Sequence, residues 1–360
     1  MIADKMKNMV ANSSAIRAMF EEGTRLAGIY GRENVFDFSL GNPNVPAPQI
    51  VKDAIVELVN DTDPVVLHGY TNSNSGYPEV REAIAKSLNE RFDTKFSGKN
   101  IVMTVGAAGG LNVILKSLIN PGDEVIAFAP YFGEYRSYTN NYDGVLVEIS
   151  PNTVDFQPKL DEFEQKITSK TKAVIVNNPN NPTGALYPEK ILKQIVDIAK
   201  ENELIIFADE IYDRLVFDEL EHISIASLSK DVPVVTFSGL SKSHMVAGFR
   251  IGWMCITGNR ESIKDYINGL NLLSSMRLCA NVPGQNIIAD AITDNNSIKA
   301  LLKKGGRLYE QRECIYNELN NIPGISVVKP KAAFYIFPKI DVSKFNIVND
   351  EIFALDFLRS

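Results

Sequence analysis

KAVIVNNPNNPTG, residues 172–184, and LIIFADEIYD, residues 204–213, decide the fold. Each begins as an apolar run of strand length and stops at polar, turn-forming residues. Between them Ile191, Leu192, Ile195, Val196, Ile198 and Ala199 recur at helical spacing and form one broad apolar face. Pro188 suits the first turn of that helix, where a missing N–H costs nothing. Asn202 ends the helix, and a buried strand follows from Leu204 to Ala208. A strand, a crossover helix and a second strand form the unit that parallel neighbours in a sheet require.

The alternation continues outward on both sides. IVMTV (101–105) leads into a helix; EVIAFA (124–129) and VLVEI (145–149) precede the central unit; VVTFSG (234–239) and RIGWMCI (250–256) follow it. The expected fold class is therefore α/β, a mostly parallel sheet flanked by helices. Residues 260–320 read as helices interrupted near Asn281 to Gly284 (NVPG), and 325–340 (ISVVKPKAAFYIFPKI) returns to strands, the start of a smaller α+β domain. Residues 14–30 set Ile16, Met19, Phe20, Leu26 and Tyr30 in a rough helical stripe that reads as a docking arm. The expected division is 1–45 for an N-terminal arm and part of a small domain, 46–290 for the large domain, and 291–360 for an incomplete small C-terminal domain.

Composition sets bounds on function. A chain of 360 residues has room for two domains, at about 150 residues each. With 45% hydrophobic and 22% charged residues it is neither disordered, collagenous nor a coiled coil. Lysine and arginine number 37 against 44 acidic residues, a net charge of −7, so no nucleic-acid partner is expected. Cys255, Cys279 and Cys314 are odd in number, far apart and without a CxxC pair, which fits a reducing cytoplasm better than a disulfide framework or a zinc knuckle. The N-terminus carries Asp4 and lacks a signal-peptide core, and no apolar run approaches the ~18 residues of a membrane span. Neither export nor membrane insertion is expected. His68, His222 and His244 stand at no metal-ligand spacing, so they are expected to be structural or surface residues, with no metal.

Four features fall at the C-terminal ends of expected strands, the edge where open α/β sheets take their ligands. GAAGGL (106–111) opens a helix whose free N–H groups suit a phosphate, although it lacks the GxGxxG spacing and also suits close helix-to-sheet packing. NPNNPTG (178–184) is either a sharp turn that caps its own backbone or a rigid mount for the Asn181 amide. Asp209 ends an apolar strand, where a lone carboxylate is costly; it is either a helix cap or the partner of a buried cation. Lys242 follows VVTFSG and is either solvent-exposed or desolvated and reactive, since burial frees the amine for Schiff-base chemistry. The turn GLSKS (239–243) lacks the closing glycine of a nucleophile elbow, which disfavours a serine hydrolase.

In this order the four elements resemble the pyridoxal-phosphate (PLP) aminotransferases of fold type I, class I/II, over about residue 36 to the end. The resemblance implies a Schiff-base role for Lys242, a pyridine-nitrogen partner in Asp209, and donors to the ring hydroxyl in Tyr212 and Asn181. It implies that Arg250 and the backbone at Ala107 and Ala108 bind the phosphate and that Phe132 (in APYFGEY) stacks on the ring. Tyr70 (in HGYTNSNSGYPEVREAI) is implied to reach the phosphate of a neighbouring subunit, and Gly41 (in SLGNP) to line the substrate carboxylate pocket with Asn181. An aspartate ~4 Å from a pyridinium gains about 4 kcal/mol at an effective dielectric near 20, enough to keep the ring protonated. Arginine grips phosphate with a planar fork that lysine lacks.

The implied protein is a cytoplasmic homodimer that exchanges an amino group between an amino acid, alanine or aspartate with glutamate, and a 2-oxo acid. Up to NPNNPTG the sequence resembles bacterial aspartate-type aminotransferases, whereas EIYDRLVFD, LSSMRLCANVPGQ and GGRLYEQR resemble the alanine (glutamate–pyruvate) branch. Two departures stand out. Met245 replaces a small or aliphatic residue, and family members run on past residue 360 into a tail that carries the carboxylate-clamping arginine. Arg359 is not expected to take that role. The alternatives are a PLP-binding protein impaired by the missing clamp and a PLP lyase or synthase of the same fold.

Overall fold

The protein is described from a computed structural model that covers residues 1–11, 15–36, 38, 41–294 and 296–360. Ser14, Ser39 and Leu40, and the side chain of Ile16, lie outside the described residues. Two compact units result: Pro43–Asn317 with Val328–Phe337, and Met1–Asn42 with Glu318–Val327 and Pro338–Ser360.

Among the described residues the larger unit holds one sheet of seven strands: β1 (Ile101–Val105), β2 (Glu124–Phe128), β3 (Val145–Ile149), β4 (Thr171–Asn177), β5 (Ile205–Asp209), β6 (Val234–Gly239) and β7 (Ile251–Thr257). They lie in the order β1-β7-β6-β5-β4-β2-β3, and all but β7 run parallel. All residues of β5, β6 and β7 are buried, as expected of strands covered on both faces. Successive β5 residues serve opposite cores. Ile205 and Phe207 join Leu111, Ile114 and Leu115 of the helix Gly106–Leu118. Ile206 and Ala208 join Leu192, Ile195, Val196 and Ala199 of the helix Glu189–Glu201. Complete burial of such side chains contributes roughly 1.5–3 kcal/mol each, so a slip of one residue in strand register would misplace every one of them.

Local signals resolve within a residue or two. Pro188 is the N-cap of its helix rather than a member of the first turn; its carbonyl accepts from the N–H groups of Ile191 and Leu192 at 2.9 and 3.1 Å. Asn202 is the C-cap. NVPG does not interrupt a helix but starts one: the break lies after Lys264–Met276, and Asn281 caps Val282–Asn286 by accepting from the Gly284 N–H at 2.8 Å. That is the usual work of an Asn just ahead of a helical Pro.

The smaller unit contains helices Asp4–Ala11, Ala15–Tyr30 and Asp350–Arg359, and the antiparallel pair β8 (Ile325–Val327) and β9 (Pro338–Ile340). Arg359 donates to Glu22 at 2.9 Å, and with Arg25 it holds that carboxyl down at about 2. Among the described residues no helix is long and apolar enough to cross a membrane.

Candidate active site

Register brings the chemistry to one edge of the sheet. Asn177 pairs with Asp209 and Asp209 with Phe237, which aligns the C-terminal ends of β4, β5 and β6. Antiparallel β7 begins at the same edge, Ile251 opposite Val105 and Gly252 opposite Gly239. Segments leaving β1, β4, β5 and β6 therefore meet the one entering β7.

Asp209 is buried at the end of β5. Its carboxylate accepts from the Tyr135 hydroxyl at 2.6 Å and from the Ile211 N–H at 3.3 Å. Burial pushes its pKa up against both hydrogen bonds, so the carboxylate would gain strongly from a cation at this place. Tyr135 is itself fully enclosed, with its hydroxyl pushed well above the usual phenol range by burial and then by Asp209. Phe132 lies edge-on to Tyr135, ring centroids 5.6 Å apart.

Lys242 sits in the single turn Leu240–Ser243 that directly follows β6. Burial, and then the positive charge of Arg250, lower its pKa to about 8, while Asp209 raises it. Its ammonium nitrogen lies 5.2 Å from the centre of the Phe334 ring. Behind the turn, His244 is buried, with its ring nitrogens 2.8 Å from the Ser243 hydroxyl and 2.6 Å from the Ala291 carbonyl. Burial lowers it to about 4. His222 rests 3.1 Å from Glu210, and His68 is exposed.

The loop after β4 does both things its sequence allowed. Asn178 accepts from the Tyr187 N–H at 2.8 Å and Asn180 from the Thr183 N–H at 3.1 Å, so the turn caps its own backbone. The Asn181 N–H is tied to the Asn177 side chain at 2.7 Å, and the Asn181 side chain lies near the Tyr212 hydroxyl, where it favours the ionised phenol against the larger effect of burial. The Tyr212 hydroxyl is also 2.6 Å from that of Tyr335.

A cradle closes the site on the β1 side. The helix Gly106–Leu118 opens with no side-chain cap, so its first-turn N–H groups, including those near Ala107 and Ala108, offer an anion site. Gly106 has φ +68°, and a Cβ there would run into the Arg250 guanidinium. A Cβ on Gly252 would come within 2.7 Å of Gly106 Cα. The two glycines thus admit the close approach of β7 and Arg250 to the helix start. Arg250, itself left-handed at φ 54°, is steadied by a 2.8 Å bond to the Ala247 carbonyl.

These groups suit PLP. The site offers a buried carboxylate for a ring cation, hydroxyl and amide groups for a ring oxygen, an amine of lowered basicity and a glycine-lined anion cradle with an arginine. Among the described residues no three His, Cys, Asp or Glu side chains gather as metal ligands would. Lys242, Asp209, Tyr212, Asn181, Phe132, Arg250, Ala107 and Ala108 all belong to the larger unit. Tyr70 belongs there too but stands 80% exposed, and Gly41 falls in the smaller unit. Sequence reasoning missed Tyr135 and Tyr335. Both lie in quoted stretches, APYFGEY and KAAFYIF, but the partners that give them meaning are 74 and 123 residues away.

The sequence profile of the family "Aminotransferase class I and II" matches residues 33–355. The glutamate-pyruvate aminotransferase AlaA of Escherichia coli K12 is 40% identical over 325 residues, covering 90% of this chain and 80% of that protein. The crystal structure of an Escherichia coli aminotransferase superposes with a TM-score of 0.93 at 38% identity, covering 100% of this chain and 88% of that one. An alanine aminotransferase from Pyrococcus furiosus gives a TM-score of 0.91 at 34% identity, with 100% and 88% covered.

Proposed function

Because the chain belongs to the class I and II aminotransferases, a PLP-dependent family of fold type I, we propose that the amino-group transfer it catalyses runs between alanine and 2-oxoglutarate, giving pyruvate and glutamate. The alanine and glutamate–pyruvate names of its relatives support that choice of substrates. The observation that carries the site assignment is the placement of a buried carboxylate, Asp209, and a half-buried amine of lowered basicity, Lys242, at the ends of adjacent strands.

When bound, PLP supplies a carbonyl that receives the amino group and a ring that withdraws electrons from the substrate Cα. Asp209 keeps a proton at the ring nitrogen, and Tyr135 keeps Asp209 aimed. Arg250 and the first-turn N–H groups at Ala107 and Ala108 hold the phosphate. Tyr212 and Asn181 donate toward the ring oxygen, and Phe132 covers a ring face. Lys242, kept near half-neutral at mildly basic pH by its burial, would take the proton from the substrate Cα and carry it as an ammonium. Asn181 lines the end that receives the substrate carboxylate.

The working form is a homodimer in the cytoplasm. Tyr70, standing clear of its own unit, serves the phosphate in a second copy, which the high exposure of its ring supports. The test is spectroscopic. The visible band of the PLP-loaded protein should disappear on adding L-alanine and return with 2-oxoglutarate. A band that answers to L-aspartate and ignores L-alanine would overturn the substrate assignment.

A further inference from the structure

Resting on that reading, we propose that Tyr335 is a positioning residue that works through Tyr212: it donates its phenolic proton to the Tyr212 hydroxyl and so fixes the direction in which Tyr212 donates. The two hydroxyl oxygens are 2.6 Å apart, and in isolation either could be the donor. Each phenol has one proton to give. If Tyr212 spends its proton on the cofactor's ring oxygen, the proton between the two phenols must come from Tyr335. The Asn181 side chain, near the Tyr212 hydroxyl, favours the ionised phenol against the larger effect of burial. With the Tyr335 proton in one acceptor site of the Tyr212 oxygen, the proton of Tyr212 points away from Tyr335, and the first bond strengthens the next.

Tyr335 is placed by the same loops that place Asn181 and Tyr212. The N–H groups of Lys331 and Ala332 donate to the Gly184 carbonyl at 2.9 and 3.0 Å, in the loop after β4. The Phe217 N–H donates to the Lys331 carbonyl at 2.9 Å, and the Ala333 N–H to the Leu215 carbonyl at 2.8 Å, in the loop after β5. Ala333 is held left-handed at φ 60°, which a non-glycine residue adopts only where its surroundings demand it. The Phe334 and Tyr335 rings then close edge-on around Tyr212, at 5.7 and 5.6 Å. Burial keeps both phenols protonated at neutral pH. The titratable groups facing the pair are Asp209 on β5 and Tyr135 on the helix Glu134–Asn141, with Lys242 and Arg250 beyond Asp209.

The measurement is the pH midpoint of the bound cofactor's visible absorption band in wild type, Tyr335→Phe, Tyr212→Phe and the double variant. Tyr335→Phe keeps the ring contacts and removes only the hydroxyl. Donors aimed at the ring oxygen favour the deprotonated form of the bound cofactor, because that form leaves the oxygen's charge without an internal partner. Losing the hydroxyl should therefore raise the midpoint by a few tenths to about one pH unit, the span of one modest hydrogen bond. Retention of PLP on dilution should weaken by about 2- to 10-fold. On the Tyr212→Phe background the second substitution should shift nothing further, since the route through Tyr212 is gone. An unchanged midpoint in Tyr335→Phe, or the same shift on both backgrounds, overturns this inference alone. A wild-type chain that takes up no PLP, or whose band ignores pH, overturns the functional reading and this inference with it.

Discussion

In the cofactor-free chain, Lys242 should react as a neutral amine at a pH where ordinary lysines are inert. Its pKa is lowered from 10.5 to about 8, first by burial and second by Arg250. At pH 7 a group of pKa near 8 is roughly 10% neutral, against roughly 0.03% for one near 10.5, a gain of about 300-fold in the nucleophilic form. The assay is reductive trapping: brief exposure to pyridoxal, borohydride quenching, and mass analysis of the peptide containing Lys242 across a pH series. Labelling should rise with a midpoint about 8. Asp209→Asn removes a charge that favours the ammonium and should move the midpoint down, whereas Arg250→Gln removes a repelling charge and should move it up. The same shift has a stability consequence. The folded pKa lies below the unfolded one, so between about pH 8 and pH 10.5 the unfolded chain binds the extra proton and stability rises with pH. Below pH 8 the full cost is present, about 3 kcal/mol at 1.36 kcal/mol per unit. A labelling midpoint near 10.5, or two charge variants that move it the same way, would refute the electrostatic account of this site.

Asp209→Ala should weaken PLP binding and cut turnover by about two to three powers of ten, the rate equivalent of losing an attraction near 4 kcal/mol; a variant with wild-type rates would reduce Asp209 to a cap for the turn that follows it. Mixing inactive Lys242→Ala chains with inactive Tyr70→Ala chains should restore part of the activity, because one site of the mixed dimer has both residues; absence of recovery under conditions of subunit exchange would remove the shared-site proposal. Arg312→Ala should destabilise the larger unit by about 2–4 kcal/mol, read as a lowered thermal midpoint. Arg312 bonds Asp218 at 2.8 and 2.7 Å and the Pro330 carbonyl at 3.2 Å, and its guanidinium stacks 4.3 Å from the Phe217 ring centre. An unchanged midpoint would mean that the bonds of the buried guanidinium to exposed Asp218 are offset by its own desolvation.

The sheet was legible because its signal is local. IVMTV, VVTFSG and RIGWMCI are each apolar on both faces, and a strand buried on both faces has no other way to look. Lys242 and Asp209 were legible for a related reason: a charged residue directly after such a run must either reach solvent or find a partner, and strand ends are where ligands supply one. The break near NVPG was legible from its turn-forming residues but lies a few positions earlier, because Asn ahead of a helical Pro is a start signal.

What stayed hidden is whatever the chain brings back from far away. Residues 328–337 return to the larger unit although both their flanks, Glu318–Val327 and Pro338–Ser360, belong to the smaller one. No periodicity in KPKAAFYIF announces this, because the cause is a set of backbone bonds to Gly184, Leu215 and Phe217, each more than 100 residues upstream. The hydrogen bond between Tyr335 and Tyr212 exists only through that return. Substitutions here should then sort by distance from Tyr212 in space and not in sequence. A change at Gly184, where a Cβ would meet the Ala332 carbonyl at 2.9 Å, should disturb Tyr212 through the displaced 328–337 segment as surely as a change at Tyr335 does directly. Gly184→Ala should accordingly raise the absorption midpoint in the same direction as Tyr335→Phe, and a Gly184→Ala protein with an unmoved midpoint would show that the segment holds Tyr335 by its own packing and not by the Gly184 carbonyl.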